Sequence, residues 1–323
     1  MHLRRIRLLL DPASPFGTPP SSGTLFGHLA WAKRRREGRE ALQRWLARLP
    51  NEPFLISDLL PANHLPRPLL APVALSAAKD AKALKRRRYI SLEVWRQLRT
   101  AATAAVLPGL LSKREEDQID DDPPFLRSAT LPHNRIDRRT ARTPEAGGGG
   151  LWFADELWPN VSDRGGQRVE ADLYIRAAMP PGEIEALLAD VGETGFGRDA
   201  GTGRGRFRLE GSEAMAWLDE APPAGGGAPR RLSLSQGVIT SNMQAARWQR
   251  FVLFGKLGRE MMAEGKRPWK LPLLLAEAGA TFAAADDGAY GAWITGLHQD
   301  DDPADPIGHN AFHLSIPYTE AAP

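Results

Sequence analysis

The chain has 323 residues, 42% of them hydrophobic, with no cysteine and a formal net charge of +3, enough for two modest domains with real cores. The missing cysteines exclude disulfides, thiolate catalysis and cysteine-ligated zinc or iron–sulfur clusters, and no run of about eighteen apolar residues is present to span a membrane. Charge is uneven: residues 1–100 carry 19 Lys+Arg against 7 Asp+Glu, which points to a nucleic-acid surface in that third.

The opening MHLRRIRLLLDP reads as a strand with Ile6, Leu8 and Leu10 on one face, rather than as a secretory signal, so the expected address is the cytoplasm. A turn-rich DPASPFGTPP leads into a helix that Ser21 or Ser22 can cap, with an apolar stripe of Leu25, Phe26, Leu29 and Ala32. Its N-terminus is either an anion site or an ordinary capped end. A short helix over Arg39–Leu49 and a strand over Phe54–Ile56 follow. Prolines 61, 66, 68 and 72 then predict a long ordered loop or a linker.

The basic run from Lys79 to Tyr89 reads as a solvated helix face or as an RNA-backbone contact. Residues 113–124 (KREEDQIDDDPP) read as a mobile acidic loop. They match no calcium motif, and no metal or cofactor is expected. Residues 125–158 predict two strands around a tip that contains Gly147–Gly150, a hairpin long enough to reach across a groove. His133, Asn134, Arg135, Arg138 and Arg139 lie on its ascending arm. A strand over Asp172–Met179 and a helix over Gly182–Val191 come next.

After that helix stands GETGFGRDAGTGRGRF, residues 192–207, in which six of the fourteen residues from Gly192 to Gly205 are glycine. Glycine lets the backbone approach a ligand closely, and successive exposed N–H groups make anion-binding concavities. Arginine adds a fork suited to phosphate. A flexible turn is the plain alternative. Gly195, Gly197 and Ala200 have the spacing of a dinucleotide fingerprint, but that motif follows a strand and opens a helix; here the order is reversed. No Walker-type phosphate loop occurs. Downstream, RRLSLS, WKLPLLLAEAGATFAA, AYGAWITGL and HNAFHLSIPY read as strands. Few helices and repeated short strands indicate an α+β protein of two units, the second incomplete.

No nucleophile elbow is present. His309 and His313 sit in a strand-like pattern with Asn310, not glutamate, after the first, which excludes a zincin reading. For a metal-independent ribonuclease the acid–base candidates are His28 and His133, beside the basic elements.

Taken in order, PSSGTLFGHLAW (20–31), PFLISDLLP (53–61), LPRPLL (65–70), HNRIDRRT (133–140), GFGRDAGTGRGRF (195–207), FGKLG (254–258) and GHNAFHLSI (308–316) resemble the RAMP superfamily of CRISPR-associated proteins. More narrowly, they are similar to the type III-A Csm-complex subunit that holds the 5′ handle of the CRISPR RNA. The resemblance implies two ferredoxin-like (RRM-like) units with long inserted loops and a β-hairpin. Residues 1–124 would begin the first unit, 125–210 complete it, and 211–323 form the second. It implies a non-catalytic antiviral-defense subunit whose partners are the guide RNA, the large polymerase-like subunit and the backbone RAMP subunit, with no membrane. A repeat-processing endoribonuclease on the same fold, or the equivalent subunit of another type III subtype, is the alternative. Carried over residue by residue, the RNA contacts are Ser21, Ser22, Thr24 and Gly27 on the first helix and His133, Asn134, Arg135 and Arg138 on the hairpin. In the loop they are Gly195, Gly197, Arg198, Gly201, Thr202, Gly203, Arg204 and Gly205. RRM readers stack bases on sheet aromatics, and the sequence shows no such aromatic pair. Recognition is therefore expected to rest on backbone contact and loop clamping.

Overall fold

The computed structural model describes residues 2–72, 87–112, 125–143, 150–161, 168–223, 227–258, 261, 265, 267–285, 288–299, 301 and 307–321. Most of the basic run (79–86), the acidic loop (113–124), residues 147–149 of the hairpin tip and residues 225–226 lie outside them.

In chain order the elements are β1 (Arg4–Leu10), α1 (Ser22–Glu37), α2 (Arg39–Arg48), β2 (Leu55–Ile56), β3 (Leu60–Pro61), β4 (His64–Pro66), β5 (Tyr89–Ser91), α3 (Leu92–Leu98) and α4 (Val106–Ser112). The hairpin strands β6 (Leu126–Asn134) and β7 (Leu151–Pro159) precede β8 (Val169–Arg176), α5 (Pro181–Thr194) and β9 (Phe207–Ala214). Then come α6 (Ala216–Asp219), β10 (Ala228–Ser233), β11 (Met243–Arg247), β12 (Arg250–Leu253), β13 (Leu273–Ala276), β14 (Thr281–Ala284), β15 (Gly291–Ile294), β16 (His309–Phe312) and β17 (Ser315–Glu320).

The first sheet is antiparallel in the order β2-β8-β1-β9, with β3 also pairing β8. Side chains alternate across a strand, so Ile6, Leu8 and Leu10 of β1 share one face with Ala171, Leu173 and Ile175 of β8. On that face they meet Leu25, Phe26 and Leu29 of α1 and Ile184, Leu187, Leu188 and Val191 of α5. The helix stripe expected for α1 is thus its buried face. The opposite face is covered too. Leu3 and Tyr174 there pack with Trp95, Leu232, Leu234, Ile316 and Tyr318 from α3 and the C-terminal half. An aromatic base-stacking platform has no open sheet face at those positions.

The second sheet is β11-β14-β10-β17. After Ala214 the described residues form mostly strands and loops, with α6 a helix of only four residues, so strand content rises sharply in this half. The pairs β4-β5, β6-β7, β12-β13 and β15-β16 are two-stranded. The proline-rich stretch is more ordered than a linker. Pro61 and Pro66 end the short strands β3 and β4, where their missing N–H costs no ladder bond. Strand β8 ends at Arg176 rather than Met179, because Pro180 and Pro181 start α5.

Candidate RNA-binding site

Helix α5 stops at Gly195, whose φ of 91° an L side chain rarely adopts. The loop then passes through positive φ at Gly197 (77°), Asp199 (63°), Gly203 (92°) and Gly205 (68°), with a 3₁₀ turn over Ala200–Thr202 between them. Its anchor is Phe196, fully buried against Phe16 (centroids 5.9 Å apart) and the His28 ring (4.6 Å). The turn-rich segment before α1 forms the other wall. The Gly205 N–H donates to the Pro15 carbonyl (2.9 Å), and the Ser14 hydroxyl donates to the Gly203 carbonyl (2.6 Å) while accepting from the Arg206 N–H (2.8 Å). The Arg198 N–H donates to Thr18 Oγ1 (3.0 Å). A flexible turn would not be tied at so many backbone groups.

His28 closes the clamp from α1. Its Nε2 accepts the Gly197 N–H at 2.9 Å, which requires that nitrogen to be unprotonated. Burial, helped by the nearby Arg35 charge, lowers the His28 pKa to about 4, so the ring is neutral at pH 7.

The hairpin joins the loop through β7. Arg204 Nε and Nη2 both reach Glu156 Oε1 at 2.6 Å, and Arg204 Nη1 donates to Thr202 Oγ1 (3.0 Å). Glu156 is 1% exposed, and its Oε1 also lies 3.6 Å from His133 Nε2 on β6. The His133 ring stacks on Trp152, its cross-strand partner (5.7 Å, 16°). Arg198 Nη2 donates to the Asp155 carbonyl (2.8 Å). Arg204 is therefore internal support for the loop. Removing it strands a buried carboxylate, an effect of about 3–5 kcal/mol.

The structure thus brings together two of the three groups of predicted residues: Gly195–Gly205 on the loop and His133 on the hairpin. Asn134 ends β6 and Arg135 and Arg138 follow it, all three exposed, as are Arg198, Gly201 and Thr202. The third group is engaged elsewhere. The Ser22 N–H donates to Asp58 Oδ1 (2.8 Å), and its hydroxyl pairs with the backbone of Gln236 in the C-terminal half (3.3 Å). Asp58, not a serine hydroxyl, supplies the acceptor at the start of α1, and burial pushes its carboxyl up to about 6. Ser21 Oγ meets Thr24 Oγ1 at 3.1 Å. Ser22 lies about 9 Å along the helix axis from His28. At Gly27 an added Cβ would meet nothing within 4 Å, so open space faces that position.

Neither Asp155 nor Glu156 stands out in the sequence. The available signal was the alternation in ADE, which puts Glu156 on the same face as buried Ala154 and marks it as a carboxylate needing a partner. Among the described residues no group of three or more histidines and carboxylates is placed to hold a metal ion, and no helix is long and apolar enough to cross a membrane.

No family model matches the sequence, and no curated protein does. Solved structures match over nearly the whole chain. One is a crystal structure of a Csm1–Csm4 cassette with cA4, at a TM-score of 0.58 and 15% identity, covering 99% of both chains. Another is a Csm3–Csm4 subcomplex of the type III-A CRISPR-Cas interference complex, at a TM-score of 0.56 and 12% identity, covering 97% of this chain and 99% of that one. A Csm1–Csm4 cassette with AMPPNP gives 0.57 and 16%. The chain shares the fold of Csm4 in these structures. On that fold the glycine loop and the hairpin are joined through Glu156 and the Asp155 carbonyl, with Arg135, Arg138 and Arg198 exposed.

Proposed function

We propose that the chain is a non-catalytic RNA-binding subunit of a type III CRISPR effector complex, anchoring the 5′ handle of the guide RNA. In that role it bridges the large polymerase-like subunit and the backbone filament, as the partners in the Csm1–Csm4 and Csm3–Csm4 structures support. The first sheet supports a ferredoxin-like unit, since β1-α1-β2 and β8-α5-β9 interleave as β2-β8-β1-β9 with both helices on one face. The domain boundaries belong to the same proposal.

One observation carries this reading: Glu156 and His28 fix a glycine-rich loop and a hairpin arm as one body, while Arg135, Arg138, Arg139 and Arg198 of those elements stay exposed. A preorganised basic surface suits a flexible polyanion, because the ordering entropy of the loop is already lost. The loop N–H groups and arginine forks bind phosphate without reading bases. Against an acid–base role, His28 has its Nε2 occupied and a lowered pKa. The ribonuclease alternative therefore rests on His133, and cleavage of repeat RNA by the chain alone, in EDTA, would favour it.

The test uses Arg135→Ala, Arg138→Ala and Arg198→Ala together, leaving Arg204 to support the loop. Guide RNA occupancy of the purified complex is expected to fall at least tenfold with an unchanged unfolding midpoint. The salt slope of guide binding should drop by about 0.7 for each phosphate that is no longer neutralised. Unchanged occupancy and slope would sink the proposal.

A further inference from the structure

Strands β12 and β13 form a two-stranded ribbon whose register sets Val252 opposite Leu274. Both project to one face and are exposed, at 44% and 55%. Just past the end of β12, Phe254 is 69% exposed. Trp269, bridged to Lys256, is 57% exposed and carries the Lys256 ammonium 4.2 Å from its ring centroid. Beyond a single bridge at Ala276, no third strand joins the ribbon among the described residues. Two-stranded ribbons are marginal in water without a covering layer, and contiguous exposed apolar surface of this kind marks an interaction site.

We infer that the Val252–Phe254–Leu274–Trp269 face docks a permanently bound protein subunit whose facing surface is apolar at its centre and lined with carboxylates at its rim. Three features choose this occupant. Aliphatic Val252 and Leu274 form the centre, and the Lys256 ammonium already covers one face of the Trp269 ring, so Phe254 is left as the one ring of this face with no cation over it, too little for a base-stacking platform. Arg250 and Lys256 flank them, both exposed, so the rim is cationic. A second copy of the chain would set these cations against each other, whereas an acidic rim complements them. Apolar faces of this kind are typical of obligate rather than transient interfaces. Resting on the assembly proposed above, the occupant is the large subunit, the partner with which the Csm4-like neighbours form a two-chain cassette.

The experiment titrates the intact chain with the purified large subunit, and separately with the purified backbone subunit, of the same effector complex by calorimetry. It uses wild type, Phe254→Asp with Leu274→Asp, and the rim variant Arg250→Glu with Lys256→Glu. Affinity for the large subunit is expected to fall at least 100-fold in the apolar variant and at least tenfold in the rim variant. Binding to the backbone subunit, guide RNA retention and circular dichroism should stay at wild-type values. Wild-type affinity of both variants for the large subunit overturns the docking face. So does a loss confined to the backbone subunit, or a wild-type dimer in light scattering that the variants abolish. A wild-type chain that binds neither guide RNA nor either subunit instead overturns the functional reading, so the two failures are distinguishable.

Discussion

His28 shows how one residue sets the state of the loop. Its ring fills the space beside Phe196 while its Nε2 takes the Gly197 N–H, so a proton on Nε2 would break that bond and place a charge in an apolar wall. The unfolded chain binds that proton near pH 6.5, and the folded chain does so only near pH 4. Its contribution is therefore complete above about pH 6.5 and is lost as pH falls towards 4, on the order of 3 kcal/mol. His313 and His309, lowered by burial to about 4 and about 3, act in the same direction. Asp58, raised to about 6, opposes them, since its stability contribution falls as pH rises from about 4 to 6. His28→Gln keeps an acceptor for Gly197 and removes one titrating group. Denaturant unfolding between pH 4.5 and 7.5 is expected to show a shallower acid loss in this variant, with stability at pH 7.5 within about 1 kcal/mol of wild type.

For the loop as an element, space and backbone angle are separable. At Gly203 a Cβ would meet only the Arg206 side chain, 4.0 Å away, so alanine there adds backbone strain alone, about 1–2 kcal/mol. At Gly205 a Cβ would stand 2.4 Å from the Phe196 carbonyl oxygen and 2.7 Å from its nitrogen. Relief would have to move the Phe196 backbone and with it the anchor of the loop. Gly205→Ala is expected to cost more stability in denaturant unfolding than Gly203→Ala and to lower guide retention as well. Equal losses would show that the loop yields at Phe196 without consequence.

At the scale of the whole molecule, a shared helix cap, a buried hydrogen bond and a part-buried ion pair join the halves. Asp58 and Ser22 meet Gln236, the Asn310 amide donates to the Phe54 carbonyl (2.7 Å), and Arg176 pairs with Asp219. Within the second sheet, Glu320 holds Arg230 and Arg247, both at 2.8 Å, and accepts the Ala71 N–H (2.8 Å). Arg230 and Glu320 are both buried. Glu320→Gln leaves the Arg230 charge uncompensated and is expected to lower the unfolding free energy by about 3 kcal/mol. The loss should appear in a single transition if the halves unfold together, which paired fluorescence and circular dichroism melts would read.

The sequence by itself determined the opening strand, the apolar stripe of α1, the two hairpin arms, the strand–helix–loop order around Gly192–Phe207 and the absence of thiol chemistry. All of these follow from spacing, composition or glycine placement, which act within a few residues. Tertiary structure alone decided which charges are free. The basic excess of the first hundred residues reads as one surface, yet Arg5, Arg7, Lys33 and Arg36 spend their charge on Glu213, Glu170, Asp172, Glu183 and Asp190. Those carboxylates arrive from β8, α5 and β9, more than a hundred residues later, because the sheet order sets β1 between β8 and β9. In the same way Arg204 looks like a phosphate ligand in sequence and is a support in the fold, since Glu156 reaches it from another element. Pairing of this kind depends on register between distant strands, and no local pattern encodes it.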